Sequence, residues 1–152
     1  MVLNRQRGVR VSVASLGKFS ALACRTLHLA PESLSVCLVT NSAIARWNRS
    51  YRGKPGATDV LSFPAQDAQP NRKPGLPSLL RRKRDRLSYL GDIAIAPAVA
   101  RRNARRYGRT FNDEMRILIL HGILHLMGYD HETDTGQMER RERRLRRTLG
   151  LA

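Results

Sequence analysis

Near its C-terminal end the chain reads His121-Gly-Ile-Leu-His125-Leu-Met-Gly128-Tyr-Asp-His131, and no other stretch restricts the fold as much. On a helix, residues four apart lie about 40° apart in projection, so His121 and His125 share one face. Gly128 stands where a helix can end in a left-handed turn, and a chain reversed there brings His131 back toward the same point. Arg116 to Leu126 is otherwise almost wholly apolar. Two imidazoles in a buried segment need polar partners, and a metal ion is one.

Three neutral imidazoles fill three positions of a Zn²⁺ site and leave the fourth open, the arrangement of catalytic rather than structural zinc. The expected cofactor is therefore one Zn²⁺ ion, although imidazole also suits Ni, Cu and Fe. Helices of the H-E-x-x-H peptidases place Glu directly after the first His, where it takes a proton from the metal-bound water. Here that position is Gly122, which counts against peptide hydrolysis. Asp130 and Glu132 flank His131 and could serve either as bases or as acceptors that orient the imidazole.

Charge indicates a polyanionic partner, whether substrate or scaffold. The 152 residues hold 28 Lys plus Arg against 12 Asp plus Glu, a formal net charge of +16. Most of the basic residues are arginine, which pairs bidentately with phosphate. Nucleic acid is the expected partner, and no apolar run approaches the roughly 20 residues a membrane-spanning helix needs. Cys24 and Cys37 lack a C-x-x-C spacing and read as ordinary thiols of a reducing compartment. Ser12, Ser15, Lys18 and Ser20 interrupt any signal-type apolar region. A cytoplasmic protein is expected. The length suits a single domain spanning 1–152.

The hydrophobic pattern predicts an α+β fold, a small mixed β-sheet covered by helices. Strands are expected at Val9 to Val13, Leu34 to Val39, Val60 to Phe63 and Leu90 to Ile95, the last two as possible neighbours. Helices are expected over Leu16 to Leu29, after a cap at Asn41, and from Pro97 to Tyr107 with a stop at Gly108. The metal helix follows, opened by Thr110 and Asp113, and a final cationic helix runs over Asp134 to Leu149. Between Phe63 and Leu90, a basic loop at about 66–88 carries Pro70, Pro74, Pro77 and the run Arg81-Arg-Lys-Arg-Asp-Arg86.

Taken together, Asn48-Arg-Ser-Tyr51-Arg52-Gly-Lys54, Thr58-Asp59-Val-Leu-Ser62-Phe63-Pro64, Leu90-Gly91-Asp92-Ile93 and the three-histidine block resemble the YbeY family of bacterial endoribonucleases. The resemblance spans about Leu34 to Glu132. It implies a small α+β domain with zinc on His121, His125 and His131, and single-strand-specific RNA cleavage in the cytoplasm. It also implies a role in ribosomal RNA maturation, at the small-subunit 3′ end, and in ribosome quality control. By the same resemblance, catalysis depends on Arg52 and His121. The Arg52 guanidinium would bind substrate and stabilise charge developing on phosphoryl oxygens. Implied partners are single-stranded and ribosomal RNA, the small ribosomal subunit and its assembly factors, with neither DNA nor membrane expected. The lengthened basic stretch Pro70 to Arg86 departs from the family habit, and could grip RNA, contact the ribosome or be disordered.

Thr58, Asp59, Ser62 and Asp92 are expected to shape the scaffold, and Trp47, Tyr51 and Tyr129 to pack rather than stack on bases. Two other functions remain open from sequence. One is an RNA-binding ribosome-assembly factor with a mainly structural zinc, and the other a metallohydrolase of another substrate.

Overall fold

The computed structural model describes residues 1–65 and 89–151. In chain order the elements are β1 (Val2–Asn4), α1 (Val13–Thr26), β2 (Leu34–Leu38), α2 (Asn41–Trp47), β3 (Val60–Pro64), β4 (Gly91–Ile95), α3 (Pro97–Tyr107), α4 (Phe111–Leu126) and α5 (Gln137–Thr148). A π-helical turn, Asn48–Arg52, extends α2. The strands form one sheet in the order β1-β2-β4-β3. The first three are mutually parallel, and β3 runs antiparallel along β4 at the edge, Ser62 opposite Ile93. This is the α+β architecture with a mixed sheet that the pattern predicted. The basic segment expected at about 66–88 lies outside the described residues.

Side chains alternate across the sheet and divide the core in two. Leu34, Val36 and Leu38 of β2, with Ile93 and Ile95 of β4, join the larger cluster beneath α1, α4 and α5. Cys37, Leu61, Phe63 and Ala94 face the other way, against Ile44 of α2 and Val99 of α3. β2 and β4 are buried at every position, as parallel strands covered on both faces must be. Both cysteines are buried free thiols, and burial pushes Cys37 up to about 11. Among the described residues no helix is long and apolar enough to cross a membrane.

The expected strand at Val9 to Val13 does not form. The Gln6 side chain takes over its hydrogen bonding, with Nε2 donating to the Val9 carbonyl and Oε1 accepting from the Val9 amide, both at 2.9 Å. Val9 is buried without a ladder partner, so the apolar alternation reports burial and not sheet. The first strand is instead Val2–Asn4, and Ser12 caps α1 through the Ser15 amide. Thr40 rather than Asn41 caps α2. The last helix begins at Gln137 rather than Asp134, because the Asp134 carboxylate accepts from the Gly136 and Met138 amides and caps it from outside. Those bonds hold the Asp134 carboxyl below its ordinary range.

Candidate metal centre and cleft

Thr110 opens α4 by accepting from the Asp113 amide at 3.1 Å. The helix ends in a Schellman turn, with the Gly128 amide on the His125 carbonyl, the Tyr129 amide on the Leu124 carbonyl, and Gly128 at φ +101°. The reversal returns the chain over the helix end. His121, His125 and His131 consequently offer ligand atoms that all lie within 4.8 Å of one another. His121 and His125 come from one helix face, His131 from the loop, as the spacing predicted.

Each helix imidazole is tied back through Nδ1. That of His121 lies 2.9 Å from Glu142 Oε1 on α5, and that of His125 lies 2.9 Å from the Tyr129 carbonyl. Carboxylate and carbonyl oxygens only accept here, so both Nδ1 atoms carry a proton, and in the neutral rings both Nε2 atoms present lone pairs. Those lone pairs face each other at 3.1 Å, an arrangement that repels unless a proton or cation lies between. A metal–nitrogen distance of roughly 2.0–2.1 Å at a tetrahedral angle separates two ligands by about 3.3 Å. The donor set fits one borderline metal ion such as zinc. Burial lowers the His125 pKa, helped by the neighbouring His121 and opposed by the Tyr129 carbonyl, which favours the neutral, ligating form.

Glu142 is the site residue that sequence reasoning missed. Burial pushes its carboxyl up, but the His121 hydrogen bond, the positive charge that His121 carries when protonated, and then Arg146 and Arg109 outweigh burial and hold it below the usual range. Arg146 stands 3.3 Å from its other oxygen. Asp130 and Glu132, the expected candidates for orienting a histidine, are engaged elsewhere. Asp130 Oδ1 accepts from the Glu132 amide at 3.0 Å. Glu132 Oε1 lies 3.0 Å from Arg52 and 3.5 Å from Lys54.

Arg52 ends the π-helical turn, where Gly53 at φ +67° turns the chain away. It lines, with the three histidines, a cleft of about 560 Å³. The far wall is β3 and the residues before it. Asp59 is fixed there by the Val60 amide at 2.8 Å and the Asn103 side chain at 3.1 Å. Ser62 donates to the Gly122 carbonyl at 3.1 Å. Tyr51 and Trp47 pack edge-on against Phe63, with centroids at 5.0 and 6.1 Å, so they brace the turn that presents Arg52. Asp92 lies within the sheet and accepts from the Tyr89 hydroxyl, as a scaffold residue should. Gly122 is pressed on β4, where a Cβ would stand 2.8 Å from Ile93 Cγ2. A glutamate there would have to displace Ile93, so the position the peptidases give their base is closed by packing here.

Comparison with known proteins gives a consistent result. The model of the family described as Endoribonuclease YbeY matches residues 5–150. A protein named Endoribonuclease YbeY from Nautilia profundicola is 37% identical over 123 residues, which cover 81% of this chain and 76% of the relative. The protein of that name from a Sulfurovum species is 33% identical over 150 residues, 98% of this chain and 90% of the relative. That from Solibacter usitatus is 44% identical over 115 residues, 75% of this chain and 65% of the relative. Among solved structures, the solution structure of TM1509 from Thermotoga maritima superposes with a TM-score of 0.57 at 24% identity, covering 98% of this chain and 89% of that one. That likeness supports the fold.

Proposed function

The chain belongs to the YbeY endoribonuclease family, and on that premise we propose that it is a metal-dependent endoribonuclease cutting single-stranded RNA, with ribosomal RNA as its substrate. One observation carries the proposal. Arg52 and three histidines line the same cleft, and the two helix imidazoles, each tied back through Nδ1, bring their Nε2 atoms to 3.1 Å of one another.

His121, His125 and His131 would hold one zinc ion, which when bound supplies Lewis acidity toward water or a phosphoryl oxygen. Glu142 and the Tyr129 carbonyl keep two of the rings in the ligating tautomer. Arg52 binds the scissile phosphate and stabilises the negative charge that grows on its oxygens in the transition state. The guanidinium is already in the cleft, held by an exposed carboxylate, Glu132, that a phosphate can replace. Gly53, Tyr51 and Trp47 fix the turn behind it. We take residues 1–152 as one catalytic domain, because both hydrophobic clusters are built on the same sheet. The cellular role that follows is maturation of the small-subunit 3′ end and ribosome quality control in the cytoplasm, beside small-subunit assembly factors.

The deciding experiment compares wild type, His121→Ala and Arg52→Glu, each with its zinc content measured, on single-stranded and duplex ribosomal RNA. Wild type should cut the single strand and stop on chelation, His121→Ala should lose both zinc and activity, and Arg52→Glu should keep zinc but lose about 10²–10³-fold in rate. Zinc-loaded wild type that leaves RNA intact would replace the nuclease by an RNA-binding assembly factor. Casein should remain uncut throughout.

A further inference from the structure

Arginines with an acidic partner are spread over the molecule: Arg52 with Glu132, Arg109 with Glu114, Arg143 with Glu139, and Arg146 with Glu142. Helix α3 differs. Its sequence Pro97-Ala-Val-Ala-Arg-Arg-Asn-Ala-Arg-Arg-Tyr107 contains no acidic residue, and Arg101, Arg102, Arg105 and Arg106 are all exposed. Among the described residues none of the four takes part in a salt bridge. The pairs Arg101/Arg105 and Arg102/Arg106 are like charges at i,i+4, a spacing that weakens a helix. A polyanion laid along the face removes that repulsion.

The same helix ends in an exposed aromatic. Tyr107 is 56% exposed, more than any other large apolar side chain among the described residues. The guanidinium of Arg106 lies 5.9 Å from its ring centre, and that of Arg109 lies 5.2 Å away. Arg109 is itself fixed by the buried Glu114 at 2.8 Å. An aromatic ring among guanidiniums is the surface on which unpaired bases stack while their phosphates meet the charges.

This surface also continues the cleft. Asn103 of α3 donates to Asp59 at 3.1 Å, and Asp59 lines the cleft wall. Arg106 and Tyr107 follow Asn103 by three and four residues, so they occupy the same helix face one turn, about 5.4 Å, farther on.

We propose that the exposed face of α3 is a second RNA contact, holding the single strand where it leaves the cleft, with Tyr107 stacking a base and Arg102 and Arg106 binding the flanking phosphates. The inference rests on the endoribonuclease reading for its substrate class, and names where the strand runs. It follows that RNA long enough to reach α3 binds more tightly than RNA that only fills the cleft.

The test uses zinc-loaded full-length protein with two single-stranded RNAs, of roughly five and roughly twenty nucleotides, within the footprints such grooves hold and beyond them. Fluorescence anisotropy reads binding, and gels of the same samples read cleavage. Tyr107→Ala should remove about tenfold of the long RNA's affinity advantage over the short one, Tyr107→Phe should keep it, and Arg102→Gln with Arg106→Gln should lower both the advantage and its salt dependence. Circular dichroism checks that each variant is folded. An advantage untouched by Tyr107→Ala and by the arginine pair overturns the inference, as does equal loss on both RNAs, which would place the effect inside the cleft. The two readings separate cleanly. Wild type that cuts neither RNA but shows the length advantage sinks the nuclease and keeps the α3 contact. Wild type that cuts both while the variants keep the advantage does the reverse.

Discussion

At the scale of single residues, Gly122 shows why two similar helices do different chemistry. The position after the first histidine faces β4, and Ile93 leaves no space for a Cβ. Alanine would gain about 1 kcal/mol in helix propensity, against roughly 1–3 kcal/mol for forcing an atom into a packed core. Gly122→Ala should therefore lower the melting temperature, and Ile93→Val, which removes a methyl, should restore part of the loss in the double variant. Glu142 makes a second case. Glu142→Gln should weaken zinc affinity about tenfold in competition with a chromophoric chelator, the usual scale for an outer hydrogen-bond partner of a ligand. Its folded pKa lies below the ordinary Glu value, so the stability it lends is complete at neutral pH and is lost as the pH falls through that folded value. The stability gap between wild type and Glu142→Gln in metal-free protein should close on acidification. The three histidines were legible because their geometry is local to one helix and one turn. Glu142 was not, since it reaches His121 across 21 positions from a helix whose arginines dominate its sequence, and no periodicity marks it. Arg52 was legible only by resemblance, because nothing in its composition separates it from the other arginines.

At the scale of elements, helices read well because their ends carry local chemistry. Pro97 starts α3 and Gly108, at φ +66°, ends it, while Thr110 opens α4. Strands read less well. β1 has three residues and draws its stability from pairing with β2, a partner over thirty positions away that no local pattern announces. Val9 looked more like a strand than β1 does, until the Gln6 amide satisfied its backbone. That β3 and β4 are neighbours was foreseen, but not that they run antiparallel, and the residue that allows their contact was not recognised. Gly91 sits at φ +146°, and a Cβ there would stand on the Phe63 carbonyl oxygen. Gly91→Ala should cost about 1–3 kcal/mol in backbone strain alone, measured by urea denaturation, and should loosen the strand that walls the cleft.

At the scale of the whole molecule, a formal charge of +16 makes binding to RNA an ionic-strength-dependent quantity. Each phosphate neutralised on a single strand contributes about −0.7 to the slope of log affinity against log salt. Arg52→Gln should flatten that slope by about one such increment, and a titration from low to physiological salt would measure it. The cleft itself is assembled around an edge strand. Histidines arrive from the α4 side of the sheet, Arg52 from the turn after α2 on the other, and β3, which among the described residues is bonded to β4 alone, stands between them. Edge strands open at lower free energy than the centre they cover. On warming, cleavage should therefore fade while the spectrum of the fold is still native, and the amide hydrogens of β3 should exchange ahead of those of β4, so that competence to cut is the most perishable property of the molecule.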